Sequence, residues 1–357
     1  MIDLLKISGK QLCTSLFLAA LILISGCNTQ TSKTTEDKEN ARIIEEFPLV
    51  EIPLPDFLAG RDTELSGLTW YHDQLILLPQ YPKLMAKNQT PLIFGIAKSN
   101  ILDYLKSKEE SSLNFYSIDF IDAGLEKYSK RGSGYEAITF IDNTAYLTIE
   151  YMNDNKTESL IVKGNFDFEN KILTLDTTSL TKIVCEDKIF NLSNESITKF
   201  NYNLIPIYEA NGKSINKSPT VSLFDSELNF QKFLQLPNIE YRITDATDAD
   251  STGKFWVMNY LYPKDIAKLN PQDDFIMKNF GIGKLHKFSL AVERLVELQI
   301  QTDKIVFSDN EPIYLELLEG GTGRNWEGLA RLDNIGFLIA TDTFPKTILA
   351  FVPININ

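Results

Sequence analysis

The stretch EAITFIDNTAYLTIE, residues 136–150, decides the fold. Apolar and polar side chains alternate on both sides of Asp142-Asn143. Alternation interrupted by a turn dipeptide predicts two antiparallel strands joined as a hairpin. The same unit returns as SGLTWYHDQLILLPQ (66–80, with Glu64 two residues earlier), ESITKFNYNLIPIYE (195–209), DATDADSTGKFWVMN (245–259) and EGLARLDNIGFLIAT (327–341, with Asp342 next). Each copy has a polar start, an apolar alternation, a central turn and a mostly polar end.

Working outward, each hairpin is followed by further strand-like runs. These are Pro91 to Ala97 and Leu113 to Phe120, then Ser159 to Phe166 and Lys171 to Leu175, then Thr220 to Phe224 and Gln231 to Leu236. The fourth is followed by Gly281 to Leu290 and then either Arg294 to Ile300 or Pro312 to Leu317. After the fifth comes Thr347 to Pro353, and Phe47 to Pro53 can supply its missing outer strand. Four-stranded units repeated in this way predict an all-β propeller. Five blades are visible, closed by pairing of N- and C-terminal strands, which removes two exposed edges. The long interval from Asp245 to Glu327 leaves room for a degenerate sixth. The one fair helix candidate is Ser99 to Lys108.

If the first and last residues of each unit lie opposite one another, their Cβ atoms are roughly 5 Å apart. Glu136 then faces Glu150, Glu195 faces Glu209, Asp245 faces Asn259 and Ser66 faces Gln80, while Glu327 lies near Thr341 and Asp342. The innermost strand of a blade lines the central channel, so these groups converge on one mouth. Opposed carboxylates repel and raise a pKa unless something compensates. A hard cation such as Ca²⁺, which takes six to eight oxygens, would do so. That makes Glu64, Glu136, Glu150, Glu195, Glu209, Asp245, Asn259, Glu327 and Asp342 candidate metal ligands and calcium the candidate cofactor. Arginine could neutralise the acids instead, or one acid could stay protonated as a general acid or base. Arg61, Arg131, Arg242 and Arg324 precede four of the hairpins, and Lys188 precedes the other. They are candidates either to grip an anionic small molecule or to tie blades together through Arg–Glu pairs. Tyr135, Tyr241 and Trp326 stand in the same loops, placed to stack on a ligand or to cap the blade core.

Glu64-Leu65-Ser66-Gly67-Leu68, Tyr135-Glu136-Ala137-Ile138 and Trp326-Glu327-Gly328-Leu329-Ala330 resemble the ESGL, EGIA and EGLA repeats of two propeller families. These are the SdiA-regulated (YjiK-like) family and the esterase-like phytase family. The resemblance spans residues 45 to 355 and departs at Ser66 and Asp245, where it would place glutamate. It implies a propeller far more strongly than an activity.

The N-terminus carries a different message. Lys6 and Lys10 precede an apolar run from Leu12 to Ile24, closed by Ile24-Ser25-Gly26-Cys27. The run is short for a membrane span and suits a signal peptide over residues 1–26. Its end resembles a lipobox, which implies lipidation of Cys27 and a lipid bilayer as partner. Residues 28–40 hold no apolar side chain, so residues 27–44 are expected to form a flexible tether to a domain at 45–357. By resemblance to Gram-negative lipoproteins, Asn28 favours the outer membrane, with the domain in the periplasm or at the surface.

A net charge of −13 argues against nucleic acid as a partner. Of the two histidines, His72 falls in a hairpin turn away from the acids and His286 on an expected outer strand, so neither serves a catalytic triad or a zinc site. Gly320-Gly321-Thr322-Gly323 lacks the strand–loop–helix setting and lysine of a phosphate loop. Cys185 stands alone once Cys13 leaves with the signal. Two functions fit. One is a Ca²⁺-dependent ester hydrolase, with Glu136, Glu195 and Glu327 as catalytic ligands or base and the arginines on an anionic substrate. The other is a non-enzymatic binding propeller of the cell envelope. A ring left open to metal beside an arginine favours the first, and an arginine-plugged ring the second.

Overall fold

The alternating runs pair into five four-stranded blades in the computed structural model, which describes residues 38–128, 134–153, 156–184 and 192–354. Blade 1 comprises Leu65–Tyr71, Gln74–Pro79, Leu92–Ala97 and Phe115–Ile121; blade 2 comprises Tyr135–Ile141, Thr144–Asn153, Lys156–Asp167 and Ile172–Ile183. Blade 3 is Ser196–Phe200, Asn203–Ile207, Thr220–Phe224 and Phe230–Gln235. Blade 4 is Arg242–Ala246, Lys254–Leu261, Val292–Ile300 and Ile313–Leu315, and blade 5 is Trp326–Leu332, Gly336–Thr341 and Leu349–Pro353 with Val50–Ile52 outermost. The first strand of each blade contacts the first strand of the next, and that of blade 5 returns to blade 1, so the ring is closed. Closure is the antiparallel pairing of Val50–Ile52 with Leu349–Phe351, as the sequence predicts.

Burial explains the strand order. Every residue of Tyr135–Ile141 is buried, because the inner strand of a blade is covered on both faces. Of the outer strands, Phe115–Ile121 alternates between exposed and buried over its second half and Phe230–Gln235 is largely exposed. The apolar cores lie between neighbouring blades, for example Ile76, Leu78, Ile138 and Leu147 between blades 1 and 2, and Val257, Val296, Ile205 and Ile207 between blades 3 and 4. Burying each such side chain contributes about 1.5–3 kcal/mol. The tight turns use residues that tolerate the left-handed region, namely His72, Asp142, Asn201 and Asp333, all at φ between 48° and 55°.

The expected helix is present and runs Lys98–Ser107. Other features differ from the expectation. The interval from Asp245 to Glu327 holds no sixth blade; it holds an insertion between the second and third strands of blade 4. That insertion contains the helices Ile266–Leu269 and Phe275–Phe280 and a turn of 3-10 helix at His286–Phe288. The strand expected over Gly281 to Leu290 shrinks to Ile282–Gly283, with Gly281 at φ 117°, and the third strand of blade 4 is Val292–Ile300. Ile282–Gly283 pairs in parallel with Ile43–Ile44, so the chain packs from Lys38 onward, inside the segment expected to be tether. The outer strands of blades 1 and 2 also pair in parallel, Ile172 with Asp119 and Thr174 with Ile121, fusing both blades into one eight-stranded sheet.

Candidate functional site at the channel mouth

The inner hairpins of blades 1, 2 and 5 carry an irregularity at the position where the sequence places the first polar residue, whereas blade 3 pairs in unbroken register. Tyr135 pairs with Ile149 and Ala137 with Thr148, so Glu136 is an extra residue in a β-bulge rather than the partner of Glu150. Ser66 and Glu327 occupy the corresponding bulges of blades 1 and 5. A bulge re-aims the side chain it carries. In blade 4 the bulged residue is Thr244, not Asp245, since Ile243 pairs with Asn259 and Asp245 with Met258. The two hydroxyls at these positions join blades: Ser66 Oγ donates to the Tyr135 carbonyl at 2.7 Å and Thr244 Oγ1 to the Trp326 carbonyl at 2.6 Å.

Glu136, Glu150, Glu195, Glu209, Glu327 and Asp342 are gathered around Arg242. Arg242 Nη2 donates to both oxygens of Glu195 at 2.9 Å, Nε donates to Glu209, and Nη2 stands 3.7 Å from Glu327. The second Glu209 oxygen accepts the Ser193 amide at 3.0 Å. Burial opposes the charge on Arg242, but Glu195, Glu209 and Glu327 outweigh it and keep the guanidinium protonated. Burial pushes Glu195 up while Arg242 pulls it back.

Among the described residues no guanidinium is in hydrogen-bond contact with the other acids. Glu136 accepts from Gln80 Nε2 at 2.8 Å; burial and then the Glu150 charge hold it well above the ordinary carboxylate range. Glu150 is pushed up to about 7 by burial and by Glu209. Asn325 Nδ2 bridges Glu327 at 2.7 Å and Asp342 at 3.0 Å; burial raises both, and the Asp342 charge raises Glu327 further. Gln80 stands at the mouth as the repeat predicts, but against Glu136 rather than Ser66. Asn325 is the member that sequence reading missed, with no signal beyond its adjacency to Trp326-Glu327.

Other expected site residues lie elsewhere. Asp245 accepts the Leu329 amide at 2.6 Å, the Ala246 amide at 2.8 Å and the Leu68 amide at 3.5 Å, tying blades 1, 4 and 5, and burial raises its pKa. Asn259 faces the blade interior: it accepts from Arg294 at 2.8 Å and donates to the carbonyls of Glu240 and Arg242. Arg294, fully buried and unremarked in the sequence, is held by Asp274 at 2.7 and 2.9 Å and by the Tyr314 hydroxyl at 2.9 Å. Arg324 pairs with Glu293 at 2.8 Å, donates to the Glu316 carbonyl and lies over the Trp326 ring. Arg61 is exposed in the turn Arg61–Thr63, and Glu64 follows it in a left-handed conformation. Tyr135, Tyr241 and Trp326 are buried and cap blade cores. His286 is buried in its short helical turn, not on an outer strand, with Nδ1 2.7 Å from Glu46. Cys27, Arg131, Cys185 and Lys188 lie outside the described residues.

A cation of the calcium class would need several oxygens converging on one point. Among the described residues no group of three or more acids, histidines or cysteines is so arranged. Arg242 stands between Glu195, Glu209 and Glu327 instead. As arranged, the ring does not fit a metal.

No protein-family model matches the chain, and no curated protein matches it in sequence. Solved structures do. The soluble aldose sugar dehydrogenase of Escherichia coli shares 8% identity at a TM-score of 0.43, over 85% of this chain and 98% of that one. A variant of the Cellvibrio cellulosa α-L-arabinanase shares 9% identity at 0.43, over 81% and 91%. The catalytic domain of the Coprinopsis cinerea GH62 α-L-arabinofuranosidase shares 9% at 0.44, over 87% and 98%. The likeness is one of fold alone.

Proposed function

We propose that this chain is a lipid-anchored β-propeller of the cell envelope, lipidated on Cys27, whose channel mouth binds a ligand through a small group that donates hydrogen bonds or carries positive charge. The carrying observation is the imbalance at the mouth among the described residues: six carboxyls gather about the guanidinium of Arg242, which is bound to Glu195 and Glu209 and stands 3.7 Å from Glu327. Burial holds Glu136, Glu150, Glu327 and Asp342 above the ordinary carboxylate range, and repulsion from neighbouring acids adds to it at the first three. A cationic or donor group relieves that repulsion, whereas an anion adds to it. Asp342 Oδ1 is buried with no hydrogen-bond partner among the described residues and supplies an acceptor. The ring acids are 0–9% exposed apart from Asp342, so the entering group is small, such as an amine or hydroxyl at the end of a larger ligand. The ESGL, EGIA and EGLA resemblance supports an envelope propeller of the SdiA-regulated type and is neutral on catalysis.

The test is thermal unfolding of the purified protein with a diamine, putrescine, and separately with EDTA followed by Ca²⁺. A ligand that binds the folded state raises the melting temperature with concentration. We expect a rise with putrescine that Glu136→Gln weakens. A rise with Ca²⁺ instead would revive the hydrolase reading, with calcium drawing the acids away from Arg242. No rise with either would leave the ring as a purely structural tie.

A further inference from the structure

The insertion in blade 4 ends in a turn with the wrong surface for a solvated loop. Phe288 is 85% exposed, Leu290 63% and Leu285 38%. The turn is nonetheless fixed from beneath. The Leu285 and His286 amides donate to Glu46 at 2.8 and 3.1 Å, and His286 Nε2 accepts the Glu293 amide at 3.0 Å. Ser289 Oγ donates to the Gly321 carbonyl at 2.6 Å. The polar side chains therefore hold the turn to the protein while the apolar ones point out, the arrangement of a preformed contact surface. Lys284 and Lys287 lie in the same turn, and residues 283–290 contain no acid in a chain of net charge −13.

The start of the described chain is clasped to this turn. Lys38 Nζ donates to the carbonyls of Ser289 at 2.6 Å and His286 at 3.2 Å, and Lys287 Nζ donates to the Glu39 carbonyl at 3.0 Å. Eleven peptide steps separate Cys27 from Lys38, which span at most about 40 Å fully extended. A lipid on Cys27 would hold the turn within that reach of a bilayer, at high effective concentration.

The turn also has a defined side. Tyr260 pairs with Arg242 on one neighbour and with Glu293 on the other, so the ends of the strands joined by the insertion lie level with the ring. The insertion therefore leaves the propeller on its channel-mouth side.

We infer that Leu285, Phe288 and Leu290, flanked by Lys284 and Lys287, form a docking surface for an anionic bilayer that holds the channel-mouth side of the propeller against the membrane. The apolar side chains enter the headgroup boundary and the lysines meet anionic headgroups. The inference rests on the proposed anchor at Cys27, and it turns the mouth towards ligands carried by the membrane.

The experiment reconstitutes the full protein, purified from membranes, into phosphatidylethanolamine–phosphatidylglycerol vesicles with brominated acyl chains. Two variants are compared after subtracting the parent emission: Phe288→Trp, and Tyr202→Trp in the blade 3 turn, 65% exposed at the opposite end of the hairpins. Bromine is expected to quench most of the added emission of the first variant and none of the second. Equal quenching in both, or none in the first, overturns the docking surface. The intact mass reports the lipid separately. Quenching at position 288 in a chain without lipid would keep the docking surface and dismiss the anchor, whereas a lipidated chain without quenching would do the reverse.

Discussion

On one side of the channel mouth Glu195 and Glu209 close on the guanidinium of Arg242; on the other, Gln80 donates to Glu136, and among the described residues no guanidinium is in hydrogen-bond contact with Glu136 or Glu150. Both pairs start from the same repeat, an acid at each end of an inner hairpin. One has a guanidinium that partly offsets the upward push of burial on Glu195, while the other is pushed towards protonation with an amide alone beside Glu136. The difference shows how a propeller can vary chemistry between blades of one repeat: Glu136 is aimed by a bulge, Glu195 precedes a hairpin of unbroken register, and the partner each meets decides its charge.

The largest effect should come from removing the guanidinium itself. Arg242→Met leaves Glu195 and Glu209 buried without compensation, and breaking a buried ion pair in this way costs about 3–5 kcal/mol. Urea unfolding at pH 7.5 should show the loss, and it should shrink when Glu195→Gln is added.

The other side should show itself in pH. Glu150 sits at about 7 against an ordinary 4.5, so the folded state holds a proton that the unfolded state has released. Stability then falls as pH rises from 4.5 towards 7 and flattens above it. Glu150→Gln should remove a part of that slope on the order of 2 kcal/mol, read as the difference in unfolding free energy between pH 5 and pH 8. A slope unchanged in this variant would place the proton elsewhere. Asn325→Ala leaves Glu327 and Asp342 without their shared donor, and about 1–3 kcal/mol should be lost on urea unfolding. The smallest effect belongs to Ser66→Ala, which removes one inter-blade hydrogen bond and should cost about 1 kcal/mol.

The blades were legible because alternation and turns are local. His72, Asp142, Asn201 and Asp333 mark tight turns whose strands hydrogen-bond to each other. Closure by Val50–Ile52 followed from a count of strands. The insertion was not legible, because Gly281 to Leu290 mixes apolar and polar residues as a short strand could, and its bend at Gly281 and the burial of His286 depend on distant partners. At the mouth, an acid at the repeat start identified Glu136, Glu195 and Glu327. The same rule misplaced Asp245, because in blade 4 the bulge falls one residue earlier, on Thr244. Arg242 and Arg324 look alike in sequence, three residues before their expected repeat starts. Their partners come from distant strands, Glu195 and Glu209 for one and Glu293 for the other. Only folding reveals which guanidinium meets the ring.

The segment from Ile43 to Ile52 has a mechanical consequence. It makes three short pairings in order: Ile43–Ile44 with Ile282–Gly283, Glu46–Phe47 with Tyr314–Leu315, and Val50–Ile52 with Leu349–Phe351. Any pull entering through the N-terminus is met first by the insertion, then by the edge of blade 4, and last by the strand that closes the ring. The first two pairings act like the strain relief on a cable. Tension is shed into the rim of the disc before it can open the seam.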